Sequence, residues 1–387
     1  VIKSGDWVDY GWTTATPVAV DKAIAKRLPE LTDVNFRGGI LMWVPEIFKI
    51  ENPAEHMTWN SWHMGGIERK AIAQGFSYYA PIRYSELPRY YRESQTKPDV
   101  AVFQVSPMDE HGFFNFGPNA SHMAAVCETS KVVIVEVNEN MPVCFGGTEE
   151  GVHISHVDMI VEGDNPAIAE MGGAAAASHV DEAFAKLILE EIPDGAVLSL
   201  GVGGVPFTVA NMLAQSDKTD LGCHTGTISD AFLALYKAGK LTNKKKEIDN
   251  GYSTWNLAMG SQELYDWLDN EPQLFHPADV DYVHSPYRIG EMKNVISING
   301  GVELMGQENA ESAGTRQLSG IGGQMDFLEG AFRSEGGKGF ICLASTHKKK
   351  DGSLKSNIVP FIPGGSTVSA PRTMIQYVAT EYGIAKL

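Results

Sequence analysis

The strongest constraint on this chain is that its opening pattern occurs twice. It reads Ile2-Lys3-Ser4-Gly5-Asp6-Trp7-Val8-Asp9-Tyr10-Gly11 near the start and Ile192-Pro193-Asp194-Gly195-Ala196-Val197-Leu198-Ser199-Leu200-Gly201 much later. Gly5 matches Gly195, Val8 matches Leu198 and Gly11 matches Gly201, and one residue of slip brings Pro17 onto Pro206. In each copy a glycine turn feeds a short strand, then a glycine-containing loop, then a helix with proline in its first turn. The reading is two α/β domains of similar topology. With 387 residues the chain exceeds what one ordinary core holds, which agrees. The small-residue run Gly172-Gly173-Ala174-Ala175-Ala176-Ala177 marks the join. Beyond it Ala183, Phe184, Leu187, Ile188 and Ile192 fall at helical spacing and predict the helix that begins the second domain. The expected domains are 1–178 and 179–387.

Four segments are apolar without alternation: Ala101–Val105, Lys131–Val135, Ala196–Leu200 and Phe340–Leu343. Such runs suit parallel or mixed sheets covered on both faces. Ligands bind such sheets at loops beyond the carboxyl ends of the strands. With two domains, the crevice between them is the expected site.

Bulk properties narrow the function. No run approaches eighteen apolar residues, so nothing in the sequence reads as a membrane helix. Val1 to Asp6 lacks the apolar core of a signal peptide and reads as the first turn of a domain, so the natural chain is expected to start earlier. The formal net charge of −17 repels nucleic acid and anionic lipid. An anionic ligand must therefore be held by a local basic patch. Cys127, Cys144, Cys223 and Cys342 are widely spaced with no CxxC pair, which points to reduced thiols and a cytoplasmic location. His153 and His156 stand close together, but no third ligand is evident, so no metal site is expected. His111, His122 and His224 sit near turns and suit structural hydrogen bonding.

Five segments could carry chemistry. The loop Gly201-Val202-Gly203-Gly204-Val205-Pro206 follows a strand and lets backbone N–H groups approach an anion or a developing oxyanion. A dinucleotide fingerprint needs glycine at 206, where Pro206 stands, which disfavours a nicotinamide-dependent dehydrogenase. Ser319 to Phe327 places Gly320, Gly322 and Gly323 ahead of Gln324 and Asp326, an exposed backbone or a surface turn. Met305 to Ser312 crowds carboxamides and carboxylates; Gln307 or Asn309 could donate to a carbonyl, or the segment is an Asx-type turn. Leu221 to Asp230 reads as a strand entering a helix near Ser229. His347-Lys348-Lys349-Lys350 is the densest basic run, either a solvated hairpin tip or a clamp for phosphates.

Read together with Lys3–Trp12, Trp59–Met64, Ile82–Tyr91, Asp109–Gly117, Val135–Pro142 and Thr380–Ala385, these segments resemble the acetyl-CoA hydrolase/transferase family over essentially the whole chain. Within it they are most similar to the butyryl-CoA:acetate CoA-transferases, and also to the 4-hydroxybutyrate CoA-transferases. Family chains usually extend at both ends, so this one looks trimmed, most visibly after Leu387. The resemblance implies two similar open α/β domains of CoA-transferase type, with the active site in the crevice between them. It implies transfer of CoA from a short-chain acyl-CoA to acetate by ping-pong chemistry, in which a glutamate attacks the thioester, forms a mixed anhydride, and becomes a glutamyl-CoA thioester. By motif match, Gly201, Gly203, Gly204 and Asn309 would stabilise oxyanions, and Gly320, Gly322, Gly323 and Gln324 would lie along the CoA. Lys348 and Lys350 would meet its phosphates. CoA and acyl-CoA enter as substrates with short carboxylates; no permanent cofactor, nucleic acid or membrane partner is implied, and a homo-oligomer is.

This sequence departs from the family at the centre. The nucleophilic glutamate follows a His-Thr or His-Ser pair, here His224-Thr225, and the next residue is Gly226. Glycine can form neither an anhydride nor a thioester. An introduced substitution, a natural paralogue with lost or altered activity, or a replacement carboxylate such as Glu308 or Asp230 would each account for it. The last is hard to satisfy, because reacting atoms must approach to about 3–3.5 Å. The alternative functions are an acyl-CoA hydrolase and a non-catalytic CoA-binding protein.

Overall fold

The computed structural model describes residues 1–171, 178–201, 203–301 and 303–387. The join expected at Gly172–Ala177, and Val202 of the glycine loop, lie outside the described residues.

The repeat becomes two largely parallel sheets, each laid outward on one side of its first strand and then on the other. Gly5 and Gly195 have φ of +85° and +70°, a left-handed turn that any side chain would strain. Each glycine delivers the chain into a central strand. The first sheet comprises β1 (Trp7–Asp9), β2 (Val34–Gly38), β3 (Met57–Ser61), β4 (Ser77–Tyr79), β5 (Val100–Val105), β6 (Val132–Val137) and β7 (Met159–Glu162). Their order is β4-β3-β2-β1-β5-β6-β7, with every pairing parallel. The second sheet contains β8 (Val197–Leu200), β9 (Gly222–Ile228), β10 (Ser253–Ala258), β11 (Val295–Gly300), β12 (Lys338–Cys342), β13 (Tyr377–Thr380) and β14 (Gly383–Lys386). These run β10-β9-β8-β11-β12-β13-β14, parallel until the antiparallel β13–β14 pair. All six residues of β5 and all four of β8 are buried, as their unalternating apolar sequences predict.

The chain forms two compact units. The first holds Val1–Ile82, Glu86–Met171 and Tyr265–Asp281; the second holds Arg83–Ser85, Gly172–Leu264 and Tyr282–Leu387. Neither unit is one continuous stretch, which corrects the expectation of consecutive domains 1–178 and 179–387. The returning segment 265–281 is tied into the first unit by specific bonds. Tyr265 Oη donates to the Ala169 carbonyl at 2.9 Å, Asp269 accepts the Val143 N–H at 2.7 Å, and the Val280 N–H reaches the Ser121 carbonyl at 2.7 Å. Buried Tyr265 also packs with Met141 and Ile168.

The helices follow their caps. Helix α1 (Ala19–Arg27) begins two residues after Pro17, so that proline stands outside the first turn and not within it. Helix α2 (His179–Glu191) opens with a capping box in which Ser178 Oγ accepts the Asp181 N–H and Asp181 returns to the Ser178 N–H. It buries Phe184, Ala185 and Ile188. Pro206 does lie in the first turn of α3 (Gly204–Gln215). Ser229 is the N-cap of α4 (Asp230–Lys237). No helix among the described residues is long and apolar enough to cross a membrane.

One buried carboxylate anchors the first unit. Glu136 on β6 accepts the N–H groups of Val18, Ala19 and Val20 at 2.8–3.2 Å, satisfying amides that the start of α1 leaves free. Glu136→Ala is expected to lower stability by about 2–4 kcal/mol in urea unfolding, because it strands three amides. A loss near zero would show that water takes the carboxylate's place.

Candidate active site

The second unit contains a cavity of about 390 Å3 at the carboxyl ends of β8, β11 and β12 and along the second half of β9. Every residue that lines it belongs to that unit. Strand order explains its position. From β8 the chain proceeds outward through β9 and β10, then returns to the other side of β8 for β11 and β12. Successive connections diverge at such a switch point and leave an opening above it.

The floor and one wall are glycine. Gly201 directly follows β8, and Gly203 has φ +148°, a conformation open to glycine. Gly204 begins α3, so the positive end of that helix faces the cavity. Gly226 lies in the middle of β9, and Gly323 caps α6 (Gln324–Arg333), whose Gln324 and Phe327 also line the space. The structure thus brings Gly201, Gly203, Gly204, Gly226, Gly323 and Gln324 to one cavity.

The other sequence candidates lie elsewhere. Gly320 and Gly322 belong to the loop that leads into Gly323 and are not in the lining; the Gly322 carbonyl accepts the Tyr84 N–H at 3.0 Å. Lys348 and Lys350 are exposed, on and beside a small hairpin formed by Thr346–Lys348 and Leu354–Ser356. Asn309 is a correction. Its side chain is buried and fully used by its own turn and the neighbouring strand, with Oδ1 accepting the N–H groups of Glu311 and Ser312 and Nδ2 donating to Ser312 O and Glu303 Oε2. It is the Asx-type turn and has no donor left for an oxyanion.

Neither proposed replacement carboxylate lines the cavity. Asp230 accepts from the Ser261 hydroxyl and N–H at 2.6 and 3.1 Å. Glu308 is buried behind Gln324, whose Nε2 donates to Oε2 at 3.3 Å. The one carboxylate among the lining residues is Asp181, whose Oδ2 is engaged by the Ser178 hydroxyl and N–H at 2.7 and 2.9 Å.

The residue that sequence reading missed is His284. It lies just ahead of Ser285, the N-cap of α5 (Pro286–Glu291), and nothing in its local sequence marks it. Its side chain is 4% exposed and lines the cavity. Nε2 is 3.1 Å from Asn256 Oδ1, and Asn256 Nδ2 donates to Tyr84 Oη at 3.0 Å. Nδ1 has no hydrogen-bond partner among the described residues and lies 3.6 Å from Asp326 Oδ2. Asp326 is fully buried and is held by Arg83 Nε and the Ser85 hydroxyl, both at 2.9 Å. Tyr84 and Phe327 meet the imidazole edge to face, with ring centroids 5.0 and 4.9 Å away. His224, by contrast, is structural. Burial pushes its pKa down to about 3, so it is neutral, and its Nε2 donates to the Val283 carbonyl at 2.8 Å. That bond fixes the segment carrying His284.

These features coincide with a known family. The acetyl-CoA hydrolase/transferase N-terminal domain matches residues 1–171, and the C-terminal domain of the same family matches residues 260–387. The chain belongs to the acetyl-CoA hydrolase/transferase family, whose members are enzymes. It is 57% identical to butyryl-CoA:acetate CoA-transferase of Anaerostipes caccae, over 100% of this chain and 87% of that protein. It is 35% identical to 4-hydroxybutyrate coenzyme A transferase of Clostridium kluyveri, over 100% of this chain and 88% of that one. Among solved structures, RipA from Yersinia pestis superimposes with a TM-score of 0.90 at 32% identity, covering 100% of this chain and 88% of RipA.

The buried Glu308 gives a test by pH. Burial raises its pKa from an ordinary 4.5 to about 8. A raised folded pKa means that the folded chain holds a proton the unfolded chain has lost. The contribution to stability is therefore complete below the unfolded pKa and disappears as pH rises through about 8. Glu308→Gln is expected to remove this dependence, so that its stability relative to the parent chain rises by about 2–5 kcal/mol between acidic and mildly alkaline pH. Parallel urea-unfolding curves at the two pH extremes would contradict the assignment.

Proposed function

We propose that this chain binds short acyl-CoA thioesters, butyryl-CoA foremost, at the cavity of the second unit, and that Gly226 removes the covalent step by which CoA would pass to acetate. The observation that carries this reading is the setting of Gly226. It stands on a cavity-lining strand beside the glycine loop, where the family resemblance puts the nucleophilic glutamate, and it has no side chain. Among the described residues the only lining carboxylate, Asp181, is committed to a helix cap.

In the intact reaction the carboxylate would attack the thioester carbonyl, expelling CoA thiolate and leaving an acyl-glutamyl anhydride. The thiolate would then attack the glutamyl carbonyl, release the acid and form the glutamyl-CoA thioester. Backbone amides of Gly201, Gly203 and Gly204, at the positive end of α3, are the proposed partners of the oxyanions. Gly320, Gly322, Gly323 and Gln324 would run along the CoA, and Lys348 and Lys350 would meet its phosphates, which suits exposed cations on an acidic chain. The reading includes a cytoplasmic homo-oligomer, and four free cysteines suit the first part of that.

A second reading, hydrolysis of the thioester by water, draws support from the imidazole of His284 in the cavity lining. The test of both is to incubate the protein with butyryl-CoA, record its intact mass, then add acetate and follow acetyl-CoA. The expected result is measurable butyryl-CoA binding with no CoA adduct and no acetate-dependent exchange. A CoA adduct with acetyl-CoA formation would overturn it. Loss of thioester that ignores acetate would identify the hydrolase.

A further inference from the structure

Gly226 is not a glycine that its backbone requires. It lies within a paired β strand and is absent from the positive-φ glycines. What uses the missing side chain is His284. A Cβ built on Gly226 would stand 2.5 Å from His284 Nε2 and 2.8 Å from Cε1. A Cβ on Gly323 would stand 2.0 Å from both Cε1 and Nδ1 of the same ring. The imidazole therefore lies in a slot between two glycine backbones, one from β9 and one from the cap of α6. Tyr84, Phe327, Asn256 and the Asp326 carboxylate also pack around it, and one side faces the cavity. The next nearest atom to the Cβ at 226, Asn256 Oδ1 at 3.7 Å, is an ordinary neighbour.

We propose that His284 occupies the volume of a residue-226 side chain, so that positions 226 and 284 form one steric unit and a carboxylate can enter the cavity from 226 only once the imidazole is gone. The catalytic part of this inference rests on the reading of 226 as the nucleophile's place. Gly226→Glu alone should not restore transfer, because its first side-chain carbon meets the imidazole edge at 2.5–2.8 Å. His284 is on this account the residue that determines which chemistry the cavity admits.

A double-mutant cycle separates the steric claim from the catalytic one. Gly226→Ala is expected to lower Tm by about 3–6 °C in the parent chain and by less than half as much in a His284→Ala background. Equal losses in the two backgrounds would overturn the proposal. For catalysis, Gly226→Glu and the Gly226→Glu/His284→Ala double variant are compared with butyryl-CoA and acetate, by intact mass and by acetyl-CoA formation. The double variant is expected to carry the CoA adduct and to exchange about 100-fold faster than Gly226→Glu, the scale of a misplaced reacting group. Equal exchange by the two would overturn the proposal. Coupled stabilities with no adduct on the double variant would uphold the steric pairing and sink the reading of 226 as the site of the nucleophile.

Discussion

The position of strand β8 between β9 and β11 is the constraint from which the site follows. Parallel strands point all their carboxyl ends to one edge of the sheet, and the reversal of strand order at β8 leaves an opening there. Covered faces force the strands to be apolar throughout, so polar function is confined to that edge. The glycine loop, Gly226 and His284 are all at or near it. The first unit repeats the order around β1, and Trp12 stands beyond that strand, buried and edge-on to His122.

Within the second unit, the chemistry turns on volume more than on charge. A glycine on β9 and a glycine at a helix cap leave a flat slot, and a planar imidazole fills it. The ring is held by neighbours that are themselves held: Asp326 by Arg83 and Ser85, Asn256 by Tyr84, and the preceding carbonyl by neutral His224. A close-packed arrangement of this kind has discrete states rather than a continuum, because displacing one group requires another to move.

Much of the fold was legible because its signals are local. Gly5 and Gly195 mark left-handed turns, Ser229 marks a helix start, and the apolar runs mark buried strands. Six of the site candidates converge for the same reason, since glycine loops after strands have few places to be. His284 was illegible because its seat is built by residues distant in sequence and has no period or motif of its own. Asn309 misled in the opposite way. Its neighbourhood looks chemical, but a short polar turn consumes its own hydrogen-bonding groups.

The return of residues 265–281 to the first unit has a consequence for synthesis. Domains tend to fold in order as they leave the ribosome. Here the first unit lacks one of its segments until the chain has been made through Asp281, by which time much of the second has emerged. The partners of that segment, among them Ala169, Val143 and Ser121, must wait for it. The two units are therefore obliged to mature together, and a gene cut at residue 171 would release a first half with its last piece missing.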